Sequence, residues 1–181
     1  MTSLLSLDDL RDLAALAGAT PPGDFVEVGV YTGGSATILY DLAQQQGRTL
    51  YLCDTWAGHP AVSDYDDPQA HWPGRFQEAA DALAALRLDM PDAVFLVGTF
   101  PATWHAAGVH PSVAFVHADA DLYAPTKALC EIFPPLMPSG GCILFDDYPF
   151  DGCPGVRLAM QEVFGSSPEL RPTGKAVWRK P

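Results

Sequence analysis

The stretch Asp24-Phe-Val-Glu-Val-Gly-Val-Tyr-Thr-Gly-Gly-Ser35 decides the fold of this chain. It opens with an apolar strand-like run, continues through glycines that permit a tight turn, and leads into a helical pattern over 35–46. Further apolar runs of about five residues are typical of strands buried on both faces. They lie at 49–53, 93–97, 113–117 and 141–145, and the helical patterns between and after them at 76–88, 126–136 and 156–164.

This alternation predicts an α/β fold with one doubly wound, mostly parallel sheet and right-handed crossovers. The tail over 170–180 contains a Thr-Gly turn and predicts a closing antiparallel hairpin. The first 18 residues predict an amphipathic helix that covers a sheet face or a partner subunit. We therefore expect a single domain over 1–181, in which 1–22 form an N-terminal helical extension.

Composition excludes several classes of function. The 181 residues carry a formal net charge of −12, which repels nucleic acid phosphates. No apolar run approaches the ~20 residues of a membrane helix, and acids stand near the start where a secretory signal requires a basic residue. The four cysteines form no CxxC pair. We expect a cytoplasmic protein with reduced thiols and with neither nucleic acid nor membrane as a partner.

Parallel sheets of this class bind ligands beyond the carboxyl ends of their strands, so the first strand-to-helix turn is a candidate cofactor site. Its backbone can approach a ligand closely, and the helix start offers unpaired N–H donors. The Glu-x-Gly-x-x-x-Gly spacing differs from the dinucleotide fingerprint, and an ordinary tight turn is the alternative. The candidate residues of this turn are Gly29, Gly33, Gly34 and Ser35.

Two acids accompany the turn. Glu27, two residues before Gly29 and within the apolar first strand, suits a ligand with an ammonium group. Asp54 ends the second strand about 20 residues beyond the glycines, where a carboxylate can accept hydrogen bonds from ribose hydroxyls. A turn or N-cap aspartate is the alternative for Asp54. Together these residues favour a nucleoside-containing cofactor.

Four further carboxylates follow the fourth and fifth strands: Asp119, Asp121, Asp146 and Asp147. These strands are neighbours in a doubly wound sheet, so the carboxylates are expected at one rim, where they repel one another without a cation. An all-oxygen cluster suits Mg²⁺ or Mn²⁺. Helix capping and solvated turn acids are the alternative.

Several of these segments together resemble the macrocin O-methyltransferase family, whose members use S-adenosylmethionine and a metal ion to methylate sugar hydroxyls of natural products. The segments that carry the resemblance are Phe115-Val-His-Ala-Asp-Ala-Asp-Leu-Tyr-Ala-Pro-Thr-Lys-Ala-Leu, Leu136-Met-Pro-Ser-Gly-Gly, Phe145-Asp-Asp-Tyr and Cys153-Pro-Gly-Val-Arg-Leu-Ala.

The resemblance implies roles for the acids. The metal ligands fall on Asp119, Asp146 and Asp147, and the general base falls on Asp121. Asp119 is also counted among the cofactor contacts, with the turn residues, Glu27 and Asp54. A small-molecule hydroxyl acceptor and a homodimer are the implied partners.

Two other functions remain open at this point. A metal-dependent nucleotide-sugar glycosyltransferase also uses Asp-x-Asp at a strand end, and a non-catalytic relic of the methyltransferase fold would retain the cofactor site alone. His117 is interpreted as a hydrogen-bonded core residue rather than one that supports a metal ligand. The long loop after the second strand carries candidates for an acceptor pocket, or for surface packing: Trp56, His59, Tyr65, His71 and Trp72.

Overall fold

The computed structural model describes residues 4–67, 76–109, 111–165 and 168–181; for Phe76 the description covers the backbone alone. Within these ranges the helices are α1 (Leu7–Gly18), α2 (Gly34–Gln46), α3 (Phe76–Asp89), α4 (Ala102–Ala107), α5 (Tyr123–Ile132) and α6 (Pro154–Phe164). The strands are β1 (Asp24–Val28), β2 (Leu50–Asp54), β3 (Val94–Val97), β4 (Val113–Ala118), β5 (Cys142–Phe145), β6 (Glu169–Leu170) and β7 (Ala176–Arg179).

The strands form one sheet in the order β3-β2-β1-β4-β5-β7-β6. Strands β1 to β5 are parallel, whereas β7 is antiparallel to both β5 and β6. The predicted doubly wound sheet with a C-terminal antiparallel hairpin is therefore confirmed. Register places Glu27 opposite His117 and Ala118 opposite Phe145, so β1, β4 and β5 end side by side.

Apolar side chains alternate between the two faces of the sheet, and each face is covered by helices. Val26 and Ile143 point to the face that packs against α4, α5 and α6. Phe25 and Leu144 point to the other face, where α1, α2 and α3 pack. Because the parallel strands are buried on both faces, they read in sequence as continuous apolar runs.

The N-terminal helix α1 confirms the predicted amphipathic helix. Ser6 and Asp9 form a reciprocal capping box at its start, which satisfies N–H groups that a helix end leaves open. Its apolar stripe, which includes Leu13 and Leu16, packs against the sheet within the same chain. Of the two surfaces that the sequence allowed, this helix therefore covers the sheet face.

Two helices differ from the prediction. The pattern over 126–136 predicted one helix, but α5 ends at Ile132 and a 3₁₀ turn covers Pro134–Leu136. Prolines cannot donate the backbone hydrogen bonds that would continue an α-helix, so the chain tightens there. The six-residue helix α4 was not predicted, since it is too short to establish a periodic pattern.

Among the described residues, no helix has the length and apolar character needed to cross a bilayer.

Candidate functional site

A cavity of about 290 Å³ lies at the carboxyl ends of β1, β2, β4 and β5. This is the position that the topology predicts for a ligand site. Predicted site residues in its wall are Gly29, Gly34, Ser35, Asp54, Asp119, Asp121, Asp146 and Asp147. Glu27 and Gly33 lie behind this wall rather than in it.

The glycines of the turn after β1 make room for protein atoms. Gly29 has φ 91°, and a Cβ there would overlap the backbone carbonyl of Asp119. Gly33 has φ 85°, and a Cβ there would overlap the side chain of Leu86 in α3. These two glycines therefore allow the turn to pack against β4 and α3, while Gly34 and Ser35 begin α2 at the cavity.

Asp54 organises the same turn. Its Oδ2 accepts hydrogen bonds from the backbone N–H groups of Val30 (2.6 Å) and Tyr31 (2.9 Å). Its Oδ1 accepts one from the N–H of Trp56 at 2.7 Å. The Thr55 hydroxyl lies 3.5 Å from the same oxygen, but its single proton has a much closer acceptor in the Gly58 carbonyl at 2.6 Å. A carboxylate oxygen has two lone pairs, so Oδ1 retains acceptor capacity toward the cavity. The structure thus gives Asp54 a role in holding the loop, beyond the ribose contact that the sequence predicts.

Glu27 and His117 form a fully buried pair between β1 and β4. His117 Nδ1 lies 2.8 Å from Glu27 Oε1, and His117 Nε2 lies 3.4 Å from Asp146 Oδ1. Burial opposes protonation of His117, but hydrogen bonds to Asp146 and Glu27 outweigh it and raise its pKa to about 10. His117 is therefore a hydrogen-bonded core residue, as predicted, and its contact with the predicted ligand Asp146 also fits the supporting role that was the alternative. Glu27 Oε2 has no hydrogen-bond partner among the described residues.

The four acids after β4 and β5 divide into two adjacent groups. His117, Asp119 and Asp146 present potential ligand atoms within 4.8 Å of one another. Asp121, Asp147 and Cys153 do the same beside them. The predicted ligands Asp119, Asp146 and Asp147 thus share one rim of the cavity but do not form a single group within that distance.

Burial and like charges perturb these acids. Desolvation, together with the charges of Asp146 and Asp147, raises the pKa of Asp119 well above its ordinary value. Desolvation, with Asp121 and Asp146, does the same for Asp147. Asp146 is also opposed by desolvation, yet its hydrogen bonds to His117 and Lys175 and their charges keep its pKa below the ordinary value. The described protein groups therefore do not compensate four ionised carboxylates at this rim, and the raised pKa values favour protonated Asp119 and Asp147.

Asp121 occupies a special backbone position, with φ 59°. Its N–H donates to Asp147 Oδ2 at 3.1 Å, and its Oδ2 lies 2.9 Å from His59 Nε2. Cys153 Sγ donates weakly to its other oxygen at 3.6 Å. Both Asp121 and His59 lie in the cavity wall, so the predicted base has a histidine partner within the site.

The loop after β2 brings only some of the predicted acceptor residues to the cavity. His59 lines it, whereas Trp56 is buried against Phe95 and Tyr65 packs on Tyr123 with ring centres 4.5 Å apart. The predicted residues His71 and Trp72 lie outside the described residues.

Sequence reasoning missed two side chains that shape the site. Asp66 is buried in the loop after β2, and its Oδ1 accepts the N–H of Tyr123 at the start of α5 (2.7 Å). Lys175, in the turn between β6 and β7, places Nζ 2.5 Å from Asp146 Oδ1. Neither residue belongs to a motif, and only the folded chain brings Asp66 to Tyr123 and Lys175 to Asp146.

A comparison with known protein families gives a direct match. Residues 1–166 match the family model of macrocin-O-methyltransferase (TylF). The chain belongs to this family. The resemblance carried by the strand-end acids is therefore confirmed, and it extends over most of the chain.

The chain shares about 30% sequence identity with individual O-methyltransferases of this family. The chain is 30% identical over 168 residues to 8-demethyl-8-(2,3-dimethoxy-alpha-L-rhamnosyl)-tetracenomycin-C 4'-O-methyltransferase of Streptomyces olivaceus, covering 84% of this chain and 64% of that protein. It is 29% identical to mycinamicin III 3''-O-methyltransferase of Micromonospora griseorubida, covering 82% of this chain and 64% of that protein. The chain thus spans less than two thirds of the length of these relatives.

The fold is also that of a solved methyltransferase. The structure of CalS11, calicheamicin methyltransferase, aligns with a TM-score of 0.76 and 25% identity over 96% of this chain and 79% of that one. An apo structure of CalS11 is described as a TDP-rhamnose 3'-O-methyltransferase.

Proposed function

We propose that this chain is an S-adenosylmethionine- and divalent-metal-dependent O-methyltransferase that acts on a hydroxyl of a small, sugar-containing molecule. The observation that carries the proposal is the cavity itself, because the glycine-rich turn after β1 and the carboxylates after β4 and β5 line the same space. Family membership supports the reaction class. A glycosyltransferase would leave the half of the cavity at this turn without an assigned ligand.

The cofactor half of the site consists of the turn, the start of α2 and Asp54. Gly34 and Ser35 begin α2 in the cavity wall, and the N–H groups at a helix start stabilise a ligand carboxylate. Asp54 Oδ1 retains acceptor capacity for a ribose hydroxyl. When bound, S-adenosylmethionine supplies an electrophilic methyl group, so these residues have only to hold and orient it.

The residues after β4 and β5 fit a hard divalent cation. Their donor set is mostly carboxylate oxygen, and the raised pKa values of Asp119 and Asp147 indicate uncompensated negative charge. We assign Asp119, Asp146 and Asp147 as ligands of Mg²⁺ or Mn²⁺. A cation held there would supply Lewis-acid activation of an acceptor hydroxyl.

We assign Asp121 as the general base. It lies in the cavity wall beside the proposed ligands, and its backbone N–H is held by Asp147. A proton accepted on its carboxylate can be shared with His59 Nε2, 2.9 Å from Oδ2. The two residues together can therefore remove a hydroxyl proton from the reacting region.

The acceptor class follows from the names of the relatives. The Streptomyces olivaceus relative is named for a rhamnosyl-tetracenomycin, and an apo structure of CalS11 is named for TDP-rhamnose. We therefore propose a deoxysugar hydroxyl, free on a nucleotide or attached to a natural product, as the acceptor. The homodimer and the cytoplasmic location stay predictions.

Radiolabelled S-adenosylmethionine tests this function. The protein is incubated with a panel of nucleotide-activated and glycoside-linked deoxysugars, with Mg²⁺ or with a chelator. We expect label transfer to at least one acceptor in the presence of Mg²⁺ only. Transfer that is equally fast in chelator would contradict the metal assignment, and glycosyl transfer without methyl transfer would contradict the reaction class.

Asp121→Asn tests the base on the same acceptor. We expect turnover to fall by about 10²- to 10⁴-fold, the usual range for loss of a general base. Affinities for S-adenosylmethionine and Mn²⁺ should stay within about twofold, because the variant keeps the shape of the side chain. Undiminished turnover in this variant would exclude Asp121 as the base.

A further inference from the structure

The C-terminal hairpin reaches into the acid cluster through a lysine. Lys175 lies just before β7, and its side chain is 9% exposed. Its Nζ is 2.5 Å from Asp146 Oδ1 and 3.7 Å from Asp9 Oδ1 in α1. This residue lies beyond the segment 1–166 that matches the family model, so family membership does not assign it a role.

Lys175 and His117 approach the same oxygen of Asp146. Lys175 Nζ lies 2.5 Å and His117 Nε2 lies 3.4 Å from Oδ1. No hydrogen bond from a described residue is recorded to the other oxygen, Oδ2, while Asp146 lies in the cavity wall. The arrangement therefore fixes one carboxylate oxygen within the protein and leaves the second for a ligand.

The hairpin that carries Lys175 is itself held in place. The Arg171 guanidinium donates to both carboxylate oxygens of Asp12 in α1, at 2.6 to 3.1 Å. The turn is closed by a hydrogen bond from Arg171 N–H to the Lys175 carbonyl (2.9 Å) and one from Gly174 N–H to the Arg171 carbonyl (2.9 Å). A constrained turn presents an ammonium group with less loss of conformational entropy than a free loop would.

We propose that Lys175 is a positioning residue for the metal ligand Asp146. It holds Oδ1 so that Oδ2 remains available to the cation. This inference rests on the metal site proposed above. Partners that orient a ligating carboxylate are commonly worth 10- to 100-fold in metal affinity. The positive charge of Lys175 acts in the opposite direction, since it repels a divalent cation, so the sign of the change on its removal distinguishes orientation from charge repulsion.

Calorimetric titration of Mn²⁺ into the metal-stripped full chain tests the proposal. We expect Lys175→Met to weaken Mn²⁺ binding by about 10- to 100-fold, as loss of an orienting partner does. Lys175→Arg, which keeps a cationic donor, should restore affinity to within about fivefold of the original chain. S-adenosylmethionine affinity serves as a second readout and should change less than Mn²⁺ affinity in both variants.

Arg171→Met is the matched control. It removes a cation from the same turn and weakens the attachment to α1, yet Arg171 has no recorded contact with Asp146. The two backbone hydrogen bonds that close the turn do not involve the Arg171 side chain, so Lys175 should keep its contact with Asp146 in this variant. We therefore expect a lower melting temperature, with Mn²⁺ affinity reduced by no more than about threefold.

Two results would overturn the inference: Mn²⁺ affinity that is unchanged or tighter in Lys175→Met, or an equal loss in Arg171→Met. If the original chain itself fails to bind Mn²⁺, the proposed metal site fails and this inference fails with it. If the original chain binds Mn²⁺ and Lys175→Met binds it equally well, only the role of Lys175 fails.

Discussion

The two halves of the cavity differ in how the protein satisfies its own acids. At the ends of β1 and β2, the Asp54 carboxylate accepts three backbone N–H groups. At the ends of β4 and β5, Asp119 and Asp147 are buried near like charges, and their pKa values are raised. The first half is satisfied by the chain alone, whereas the second holds more carboxylates than the described protein groups can compensate when all are ionised.

This difference separates two kinds of binding site. A loop whose acid is already bonded to its backbone is organised before any ligand arrives, and its ligand adds contacts to a formed surface. A cluster of buried carboxylates destabilises the folded chain until protons or a cation neutralise it. We therefore expect changes in the first half to alter cofactor affinity and those in the second to alter metal affinity and pH dependence.

Asp146→Ala should have the largest effect. Removing a proposed ligand should weaken Mn²⁺ binding by more than about 100-fold, beyond what loss of a supporting partner gives. Calorimetry measures the loss, and Asp151→Ala is the control because its side chain is 98% exposed. Equal Mn²⁺ affinity in the two variants would remove Asp146 from the metal site.

Asp54→Asn should affect the cofactor half of the cavity, at the ends of β1 and β2. The amide nitrogen cannot accept hydrogen bonds, so at least one loop N–H loses its acceptor, at a cost of about 1–3 kcal/mol in the free energy of unfolding. Because the same loop lines the cofactor half, we also expect S-adenosylmethionine affinity to fall by about tenfold or more, which is about 1.4 kcal/mol of binding free energy. Asp64→Asn, an exposed aspartate of the following loop, is the matched control. A comparable fall in Mn²⁺ affinity would contradict the separation of the two halves.

The pH dependence of the metal-free chain provides a third test. Asp119 and Asp147, with raised pKa values, hold protons in the folded state that the unfolded chain releases near pH 4. Their contribution to the free energy of unfolding is present at low pH and is lost as pH rises through their pKa values in the folded state. His117 acts in the same direction: its contribution is present below its unfolded pKa of about 6.5 and is lost toward its folded pKa of about 10.

The free energy of unfolding of the metal-free chain should therefore fall as pH rises above about 5, by up to about 1.4 kcal/mol per pH unit for each proton released. Asp146 acts in the opposite direction. Its pKa is lowered in the folded state, so its contribution to the free energy of unfolding is lost as pH falls through that pKa. Urea unfolding over a pH series measures the slope, and saturating Mg²⁺ should reduce it. A slope that is the same with Mg²⁺ as with a chelator would contradict binding of the cation to these acids.

Asp119→Asn should have the smallest effect, in the stabilising direction. Removing one buried charge from the cluster should raise the stability of the metal-free chain by about 1 kcal/mol, or the melting temperature by about 2–4 °C. The same variant should bind Mn²⁺ more weakly. A lower melting temperature without metal would show that Asp119 is already compensated by the protein.

The sequence predicted the fold and the location of the site because both depend on local patterns. Continuous apolar runs identified β1 to β5, and strand-end acids identified the rim. The role of Lys175 was not predictable, since the pairing of β7 with β5 brings it to Asp146 from 29 residues away along the chain. The need for a glycine at position 29 was also not predictable, because the group that excludes a side chain there is the backbone carbonyl of Asp119, just after β4.

The central claim is that one cavity binds S-adenosylmethionine in one half and a divalent cation in the other. It is tested most directly by titrating S-adenosylmethionine into metal-stripped protein in a calorimeter, with and without Mg²⁺. We predict saturable binding near one equivalent in both conditions, because the cofactor half is formed by the chain itself. Absence of binding in both conditions would contradict the claim.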